Sequence, residues 1–489
     1  MMESFKLYID GQFVPGNTTF TSLNPATAEP WACIAEARKE ETDNAVNAAV
    51  RAFESDSWRT LTAGARGRLL LRLADLIERD AMKLARLETL DTGKIIRETR
   101  AQIAYVAEYY RFYAGLADKM DGSSLSIDKA DMETWIKREP LGVVAAIIPW
   151  NSQLFLSAVK IGPAIAAGCT LVVKAAEVAP TPLLAFAGLI DEAGFPPGVI
   201  NIITGFAEEC GSCLTSHPLI DHIAFTGGAE TARHIIRNSA INLASTSLEL
   251  GGKSPFIVFA DADLESAANA QIAAIFSASG QSCVAGSRLL VQETVKEQFL
   301  HLLVTKAQGI IIGCPQDPET QFGPLCTAAQ KEIIEQVVTR SIARGAKLIL
   351  GNQPVGKKGF YYPPTILDCS QCPDADSVSQ ELFGPVLSVL TFSNEADAIR
   401  LANSSEYGLA AGIFTRNLTL AHRVTRKVRS GVVWVNTYRV VSPLAPFGGF
   451  GKSGFGREGG IDAALEYTTT KTVWLRTSDE PIDDPFIMR

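Results

Sequence analysis

Residues 143–175 read VVAAIIPWNSQLFLSAVKIGPAIAAGCTLVVKA, which is an apolar run, a segment of helical character and a second apolar run. The alternation continues with VINII and HIAF, and a second series after residue 250 contains PFIVF, RLLV, KLILG, SVLTF and GVVWVN. Apolar runs that alternate with helices are typical of parallel sheets covered on both faces. The sequence therefore predicts an α/β fold with two parallel-sheet domains of similar size.

The segments around this core carry different patterns. Residues 41–92 have apolar positions at helical spacing, which predicts two or more amphipathic helices. Residues 122–140 alternate polar and β-branched side chains, which predicts an exposed hairpin or edge strand that needs a partner. The final residues, SDEPIDDPFIMR, are expected to be surface-exposed or to lie at a subunit contact.

Composition excludes several classes of protein. The chain has 489 residues and a net charge of −8, so it lacks the basic surface that nucleic-acid binding requires. No apolar run approaches a membrane span, and MMESFKLYIDGQF lacks the apolar core of a signal peptide, so no membrane partner and a cytoplasmic location are expected. Nine cysteines without the spacing of a disulfide framework fit a reducing compartment.

Two CxxC pairs offer an alternative use for cysteine. Cys210 with Cys213, and Cys369 with Cys372, supply the four thiols of a zinc site in principle. Neither pair has a glycine-rich knuckle, and burial of small thiols explains the first pair equally well. No metal is therefore expected.

Three residues are candidates for chemistry. Cys283 lies in GQSCVAGSR, where small residues let a ligand approach the thiol, although most cysteines are simply small core residues. Glu249 precedes a Gly-Gly turn in LELGGKSPFIVF, and is either a solvated turn residue or a base aimed into a cleft. Asn151 follows an apolar strand, at the end where α/β sheets bind ligands, and its amide could donate to an oxyanion.

Nine motifs in order resemble the aldehyde dehydrogenase superfamily over nearly the whole chain. They are IIPWN, LVVKAAE, AFTGG, LELGGKSP, GQSCVAGSR, QELFGPV, YGLAAGIF, WVN and PFGGFGKSGFGRE. The resemblance implies that an aldehyde is oxidised to a carboxylic acid through a thiohemiacetal and a thioester on Cys283, with Asn151 holding the oxyanion. Glu249 would activate the hydrolytic water, which argues against a coenzyme A-dependent enzyme. Lys160 and Glu458 match a proton path behind that base.

The cofactor implied by the resemblance is NAD. No GxGxxG follows a strand, and in this family the pyrophosphate instead faces a helix that opens after AFTGG. The family often has serine where Gly228 stands, so one hydroxyl contact is missing. A carboxylate at Glu177 would repel a 2′-phosphate, which favours NAD over NADP. The positions that match cofactor-binding residues are Ile148, Trp150, Lys174, Glu177, Gly227, Gly228, Leu250, Glu381 and Phe383.

The matching substrate positions are not aromatic, which predicts a wide entrance. Arg439 lies in this segment and either binds an anionic group of the substrate, such as a semialdehyde carboxylate, or is a solvated or ion-paired loop residue. The expected lining residues are Ser152, Val159, Ser277, Arg439 and Val441.

The resemblance also implies a domain plan and an assembly. Residues 1–116 and 141–249 would form the NAD-binding domain and residues 250–450 the catalytic domain. Residues 117–140 and 468–489 would form an oligomerisation arm and tail that build a homodimer or homotetramer. Two alternatives remain: a narrow-specificity semialdehyde or betaine-type dehydrogenase, and a non-catalytic protein on the same fold.

Overall fold

The computed structural model describes residues 2–351, 355–356 and 358–487. The strands are β1 Glu3–Phe5, β2 Leu7–Ile9, β3 Gln12–Val14, β4 Thr18–Asn24, β5 Glu29–Glu36, β6 Ser123–Leu125, β7 Met132–Pro140, β8 Val143–Ile148, β9 Thr170–Ala175, β10 Ile200–Thr204, β11 His222–Thr226, β12 Ser245–Glu249, β13 Pro255–Val258, β14 Arg288–Gln292, β15 Lys347–Leu350, β16 Thr365–Asp368, β17 Val386–Phe392, β18 Tyr407–Gly408, β19 Ala410–Phe414, β20 Val432–Val435, β21 Phe450–Gly451, β22 Gly454–Phe455 and β23 Thr468–Arg476.

The helices are α1 Lys39–Glu54, α2 Asp56–Arg59, α3 Ala63–Arg79, α4 Ala81–Thr92, α5 Ile96–Leu116, α6 Gln153–Ala167, α7 Thr181–Ala193, α8 Ser212–Thr215, α9 Ala229–Asn242, α10 Leu264–Phe276, α11 Lys296–Gln308, α12 Ala328–Ala343, α13 Asp376–Ser379, α14 Glu395–Ala402, α15 Leu418–Thr425 and α16 Gly460–Glu466. Within the described ranges, none of them is both long and apolar enough to cross a membrane.

The first large sheet has eight strands in the order β22, β12, β11, β8, β9, β10, β2, β3. The five strands from β12 to β10 are parallel, while β22, β2 and β3 are added antiparallel. On β8, Val144 and Ala146 pack in one buried cluster with α5, α6 and α7, whereas Val143 and Ala145 pack in another with α1. Both faces are therefore covered, which is why these strands are apolar throughout.

The second large sheet has seven strands in the order β15, β16, β17, β14, β13, β19, β20. All its pairs are parallel except the edge pair of β15 and β16. Phe256 and Val258 pack in one buried cluster with α10 and α11, and Ile257 packs in the other with α12 and α14. The two predicted parallel sheets are thus confirmed.

A small third sheet joins distant parts of the chain. β6 and β7 pair antiparallel, as the pattern at 122–140 predicts, and β23 pairs antiparallel with β7 along its whole length. Residues 479–487 are exposed, as expected of the tail, and its last two residues lie outside the described part. An N-terminal sheet of β1, β5 and β4 was not predicted. The division into domains stays a prediction, and β22 adds residues beyond 450 to the first sheet.

Candidate active site

The carboxyl ends of four parallel strands meet at one edge of the first sheet. Ile147 on β8 is opposite Lys174 on β9, Phe225 on β11 is opposite Ile147, and Thr226 on β11 is opposite Glu249 on β12. The residues that follow these positions therefore gather at the same edge, where open parallel sheets bind ligands. This register brings Asn151, Lys174, the Gly227–Gly228 turn and Glu249 to one side of the molecule.

Cys283 is presented by a tight turn after α10. Ala278 and Ser279 have φ of 51° and 53°, in the left-handed region that side chains rarely adopt. Gly280 has φ of 75°, and a Cβ there would overlap the carbonyl of Gly384. The Ser279 hydroxyl donates to the carbonyl of Gly323 at 2.8 Å, which fixes the turn. The strained backbone is held by its surroundings, as is common where a loop must present a reactive group.

Cys283 lies on the wall of a cavity of about 540 Å³. The expected site residues Asn151, Ser152, Val159, Arg439, Val441 and Glu458 line the same cavity. The lining also contains five aromatic side chains that were not among the expected substrate residues. These are Tyr105, Tyr109, Phe155, Trp434 and Phe447.

The Asn151 amide faces the loop that carries Cys283. Its Nδ2 donates to the carbonyl of Gln281 at 3.1 Å, two residues before Cys283. Only one of its two N–H groups is needed for this bond, so the second is available to a group bound beside the thiol. The arrangement suits stabilisation of negative charge on an oxygen bound beside the Cys283 thiol.

Glu249 is a buried carboxyl group without a protein donor. It is 5% exposed, and neither of its oxygens has a hydrogen-bond partner among the described residues. Burial, and then the neighbouring charge of Glu458, raises its pKa well above the usual value. Burial likewise raises the pKa of Cys283 to about 12, assisted by the charges of Glu381 and Glu249. The two groups therefore interact electrostatically, since the charge of Glu249 is one of the causes of the raised pKa of Cys283.

A buried ion pair lies behind Glu249. Lys160 on α6 pairs with Glu458, and their side chains are 2% and 12% exposed. Lys160 Nζ also donates to Thr226 Oγ1 at 2.6 Å, and that hydroxyl donates to Glu458 Oε1 at 3.1 Å. The pairing agrees with the expectation for Lys160 and Glu458, and adds Thr226 as a member that sequence reasoning missed.

The candidate nucleotide-binding residues lie along the same sheet edge. Lys174, near the end of β9, and Glu177, just past it, form an ion pair at 3.3 Å. Gly228 caps the N-terminus of α9, and a Cβ at this position would meet no atom within 4 Å. The backbone is therefore open to a phosphate at a helix N-terminus. The remaining candidates on this side are buried beside the strand ends, namely Ile148 and Leu250.

Glu381 and Phe383 lie across from this edge. The Glu381 carboxylate accepts a hydrogen bond from the backbone N–H of Gly252 at 2.9 Å, and a Cβ on Gly251 would overlap it. Burial raises the pKa of Glu381 to about 7. The ring of Phe383 meets that of Trp150 edge-on, with centroids 5.5 Å apart. These groups form a cradle of a carboxylate, a glycine backbone and two aromatic rings that suits a sugar and a flat ring.

One expected substrate residue lies elsewhere. Ser277 lines a separate cleft of about 480 Å³ with Phe276 and Ala273, and is not among the residues that line the cavity of Cys283. The reason is local, because α10 ends at Phe276 and Ser277 begins the turn with extended ψ. The cysteines of the two CxxC pairs are free and are not among the residues that line the cavity of Cys283. Cys369 Sγ contacts Ser377 Oγ at 3.6 Å. Among the described residues, no group of three potential ligands is placed to hold a metal ion.

Sequence reasoning selected Ser152 but missed the other residues of a polar corner of the cavity. Gln102 on α5 and Ser152 line this corner. Both accept hydrogen bonds from the Nζ of the buried Lys94, which also forms an ion pair with Glu88 at 3.1 Å. Helical spacing carries a signal here, because Gln102 and Tyr105 are three residues apart and Tyr109 is four further on. Such a stripe on one face of a helix would have pointed to a common lining surface.

Comparisons with known proteins agree with this arrangement. The model of the aldehyde dehydrogenase family matches residues 13–473. The chain is 67% identical over 488 residues, covering 100% of each protein, to the (Z)-2-((N-methylformamido)methylene)-5-hydroxybutyrolactone dehydrogenase of Acinetobacter baylyi. It is 41% identical to the betaine aldehyde dehydrogenase of Bacillus subtilis, with 98% of each chain covered.

Solved structures give the same result. The NAD+ complex of an aldehyde dehydrogenase from Bacillus cereus superposes with a TM-score of 0.96 at 41% identity, over 97% of each chain. A betaine aldehyde dehydrogenase from Staphylococcus aureus in complex with NAD+ also has a TM-score of 0.96, at 38% identity, over 98% of this chain and 96% of that one. The chain therefore belongs to the aldehyde dehydrogenase family, whose members are oxidoreductases acting on the aldehyde group.

Proposed function

We propose that this protein oxidises an aldehyde to a carboxylic acid with NAD, through a covalent thioester on Cys283. One observation carries the proposal: Cys283, Asn151 and Glu458 line a single cavity, with the unpaired Glu249 close enough to affect the thiol. A nucleophile, a donor for an oxyanion and a base are the three groups that acyl transfer through an enzyme thiol requires. The non-catalytic alternative is disfavoured because all three are present.

Covalent capture of the aldehyde comes first. A direct hydride loss from an aldehyde is unfavourable, whereas addition of the Cys283 thiolate creates a tetrahedral alkoxide that can expel hydride. The second N–H of Asn151 and the backbone N–H of Cys283 would hold this alkoxide. Since burial raises the pKa of the thiol to about 12, the thiol must lose its proton before it can attack the aldehyde.

NAD would be held along the edge of the first sheet. The open backbone at Gly228, the ion pair at the end of β9, and the cradle of Glu381, Phe383 and Trp150 fit a phosphate, a ribose and a flat ring respectively. The negative charge of Glu177 favours NAD over NADP. When bound, NAD supplies the acceptor for the hydride.

Hydrolysis of the thioester completes the reaction. Glu249, with both carboxylate oxygens unbonded to the protein, would take a proton from the attacking water. The chain of Lys160, Thr226 and Glu458 behind it would carry that proton away and restore the base.

The proposed substrate is a hydroxylactone, or the semialdehyde to which it opens. The relative from Acinetobacter baylyi, with 67% identity, is named for a 5-hydroxybutyrolactone. A betaine-type substrate is less well supported, because Arg439 in the cavity would repel its quaternary ammonium group, although the aromatic lining would suit a cation.

The cysteines and the exposed residues of β23 bear on the location and assembly of the protein. All nine cysteines are free, which fits a reducing compartment such as the cytoplasm. Trp474 and Leu475 on β23 are 58% and 46% exposed, and a homodimer or homotetramer would bury them against a second copy. Light scattering on purified protein distinguishes these states from a monomer.

The proposed reaction is tested by following the absorbance of reduced nicotinamide. Purified protein is mixed with NAD or NADP and with the hydroxylactone, betaine aldehyde or simple neutral aldehydes. Cys283→Ala is compared with Cys314→Ala, because Cys314 is exposed and not among the residues lining the cavity. We expect reduction of NAD that is lost only in Cys283→Ala. Turnover that survives this substitution, or no turnover of any aldehyde, would refute the proposal.

A further inference from the structure

We propose that Arg439 determines specificity by binding the carboxylate that is freed when the hydroxylactone ring opens, so that the enzyme acts on the open-chain anionic aldehyde. The inference rests on the proposed function and extends it to the residue that would select the substrate. It is carried by the charges that line the cavity, by the anchoring of the Arg439 loop and by the chemistry of the lactone ring.

The cavity presents one uncompensated positive charge. Two charged side chains line it, Arg439 and Glu458, and Glu458 is already paired with Lys160. Arg439 forms no ion pair among the described residues, and its recorded hydrogen bond runs from Nη1 to the carbonyl of Ala273 at 3.0 Å. A guanidinium has five N–H donors, so most of its fork remains for a planar anion such as a carboxylate.

The loop that carries Arg439 is fixed on both sides. Tyr438 OH donates to the carbonyl of Val284 at 2.9 Å, which ties the residue before Arg439 to the residue after Cys283. Trp434 Nε1 donates to the carbonyl of Val440 at 2.8 Å, which ties the residue after it to the cavity wall. Arg439 itself has φ of 62°. A preorganised cation loses little entropy on binding, which favours a role in recognition over that of a mobile surface residue.

Arg439 is also close to the nucleophile. Its positive charge acts to lower the pKa of Cys283, against the larger effects of burial and nearby carboxylates. Arg439 and Cys283 line the same cavity, so a substrate held by its carboxylate on Arg439 would share that cavity with the thiol. This placement suits a substrate that carries both an aldehyde and a carboxylate.

The lactone ring must open before a thiolate can add. The relative from Acinetobacter baylyi is named for a 5-hydroxybutyrolactone. In such a lactone, the carbon that has the oxidation level of an aldehyde is saturated and carries a hydroxyl group and the ring oxygen. Ring opening breaks the bond between this carbon and the ring oxygen, which leaves with the electron pair as a carboxylate oxygen. The hydroxyl loses its proton and becomes the aldehyde oxygen. No oxidant is consumed, and the new carboxylate is the anion that Arg439 would bind.

The test compares an anionic aldehyde with its neutral counterpart. Succinate semialdehyde is the open form of the unsubstituted hydroxylactone, and its methyl ester has the same aldehyde without the charge. We compare kcat/KM for both in wild type, Arg439→Gln and Arg439→Lys. Arg416→Gln is the matched control, because Arg416 is an exposed arginine that pairs with Asp263 and is not among the residues lining the cavity.

In Arg439→Gln we expect kcat/KM to fall about tenfold to a hundredfold for the semialdehyde, mostly through KM, with little change for the ester. Arg439→Lys should regain part of the loss, and Arg416→Gln should behave as wild type. An equal fall for both substrates would assign Arg439 to loop structure or to the thiol, and would overturn the inference. A higher kcat/KM of wild type for the ester than for the semialdehyde would also overturn the inference. If wild type oxidises neither compound nor any other aldehyde, the proposed function fails and the inference falls with it.

Discussion

Removing Lys160 should destabilise the protein far more than removing a surface lysine. The Lys160 side chain is 2% exposed, so Lys160→Met leaves the Glu458 carboxylate, 12% exposed, with the Thr226 hydroxyl as its remaining partner. Breaking a buried pair on one side typically costs about 3–5 kcal/mol. We expect about 3 kcal/mol, the lower limit, because Glu458 keeps that hydroxyl and borders the cavity.

The assay is urea denaturation followed by tryptophan fluorescence, with the free energy of unfolding taken from the midpoint and slope. Lys39→Met is the control, because Lys39 is 73% exposed and pairs with Asp43 one helical turn away. That variant should lose about 0.5 kcal/mol or less. The double variant Lys160→Met with Glu458→Gln should be more stable than the sum of its single changes by about 1–3 kcal/mol, since no buried charge is left unpaired. A loss below about 1 kcal/mol in Lys160→Met, or strict additivity, would refute the reasoning.

Three further variants test the site. Glu249→Gln should keep a burst of about one NADH per active site while steady-state turnover falls by about 10²–10⁴, because the thioester still forms and its hydrolysis slows; rapid mixing checks this. Glu381→Gln should lower the pKa of Cys283, seen as faster alkylation by iodoacetamide at a given alkaline pH, because a negative charge that raises this pKa is removed. The raised pKa of Glu381 also makes wild type lose stability as pH rises from about 4.5 to about 7, since folding favours the protonated form, and the loss should shrink in Glu381→Gln. Gly228→Ser should be tolerated and should stabilise α9 by a few tenths of a kcal/mol in thermal unfolding, because Gly228 has cap geometry and open space around it.

Each of these has a contradicting result. Loss of the burst in Glu249→Gln would mean that this carboxyl group is needed before the thioester forms. An unchanged alkylation rate in Glu381→Gln would mean that the charge of Glu381 does not affect the thiol. An unchanged pH dependence of stability in this variant would mean that folding does not shift the pKa of Glu381. A clear destabilisation in Gly228→Ser would contradict the open space at that helix end.

The parts of the fold with strong periodicity could be predicted from the sequence. The central strands of both sheets, such as β8 and β9 in the first and β13 and β14 in the second, are short, apolar and separated by helices. Both sheets were therefore expected. β22 was not expected, because a strand of two residues, Gly454 and Phe455, is too short to show an alternating pattern. It is recognised only by its pairing with β12 in the folded sheet. The N-terminal sheet was missed for a related reason, since the register between β4 and β5 shifts at Ser22 and breaks simple alternation.

The site was predictable where a motif carried it. Cys283, Asn151 and Glu249 were found by resemblance, and the structure brings them to one region. Thr226 was missed because its role depends on contacts with residues far away in the chain. Ser277 was expected on the cavity wall, but the left-handed turn that follows α10 redirects the chain, and such a turn has no signature in hydrophobic periodicity.

The ion pair of Lys160 and Glu458 joins residues 298 positions apart. A contact of this length closes only after most of the chain is in place, since the entropy of so large a loop must be lost first. During synthesis, the first sheet would therefore exist before the segment that completes its edge and carries Glu458. In refolding, recovery of helical signal should run ahead of recovery of catalysis, because the active site is complete only when the segment that carries Glu458 has reached Lys160.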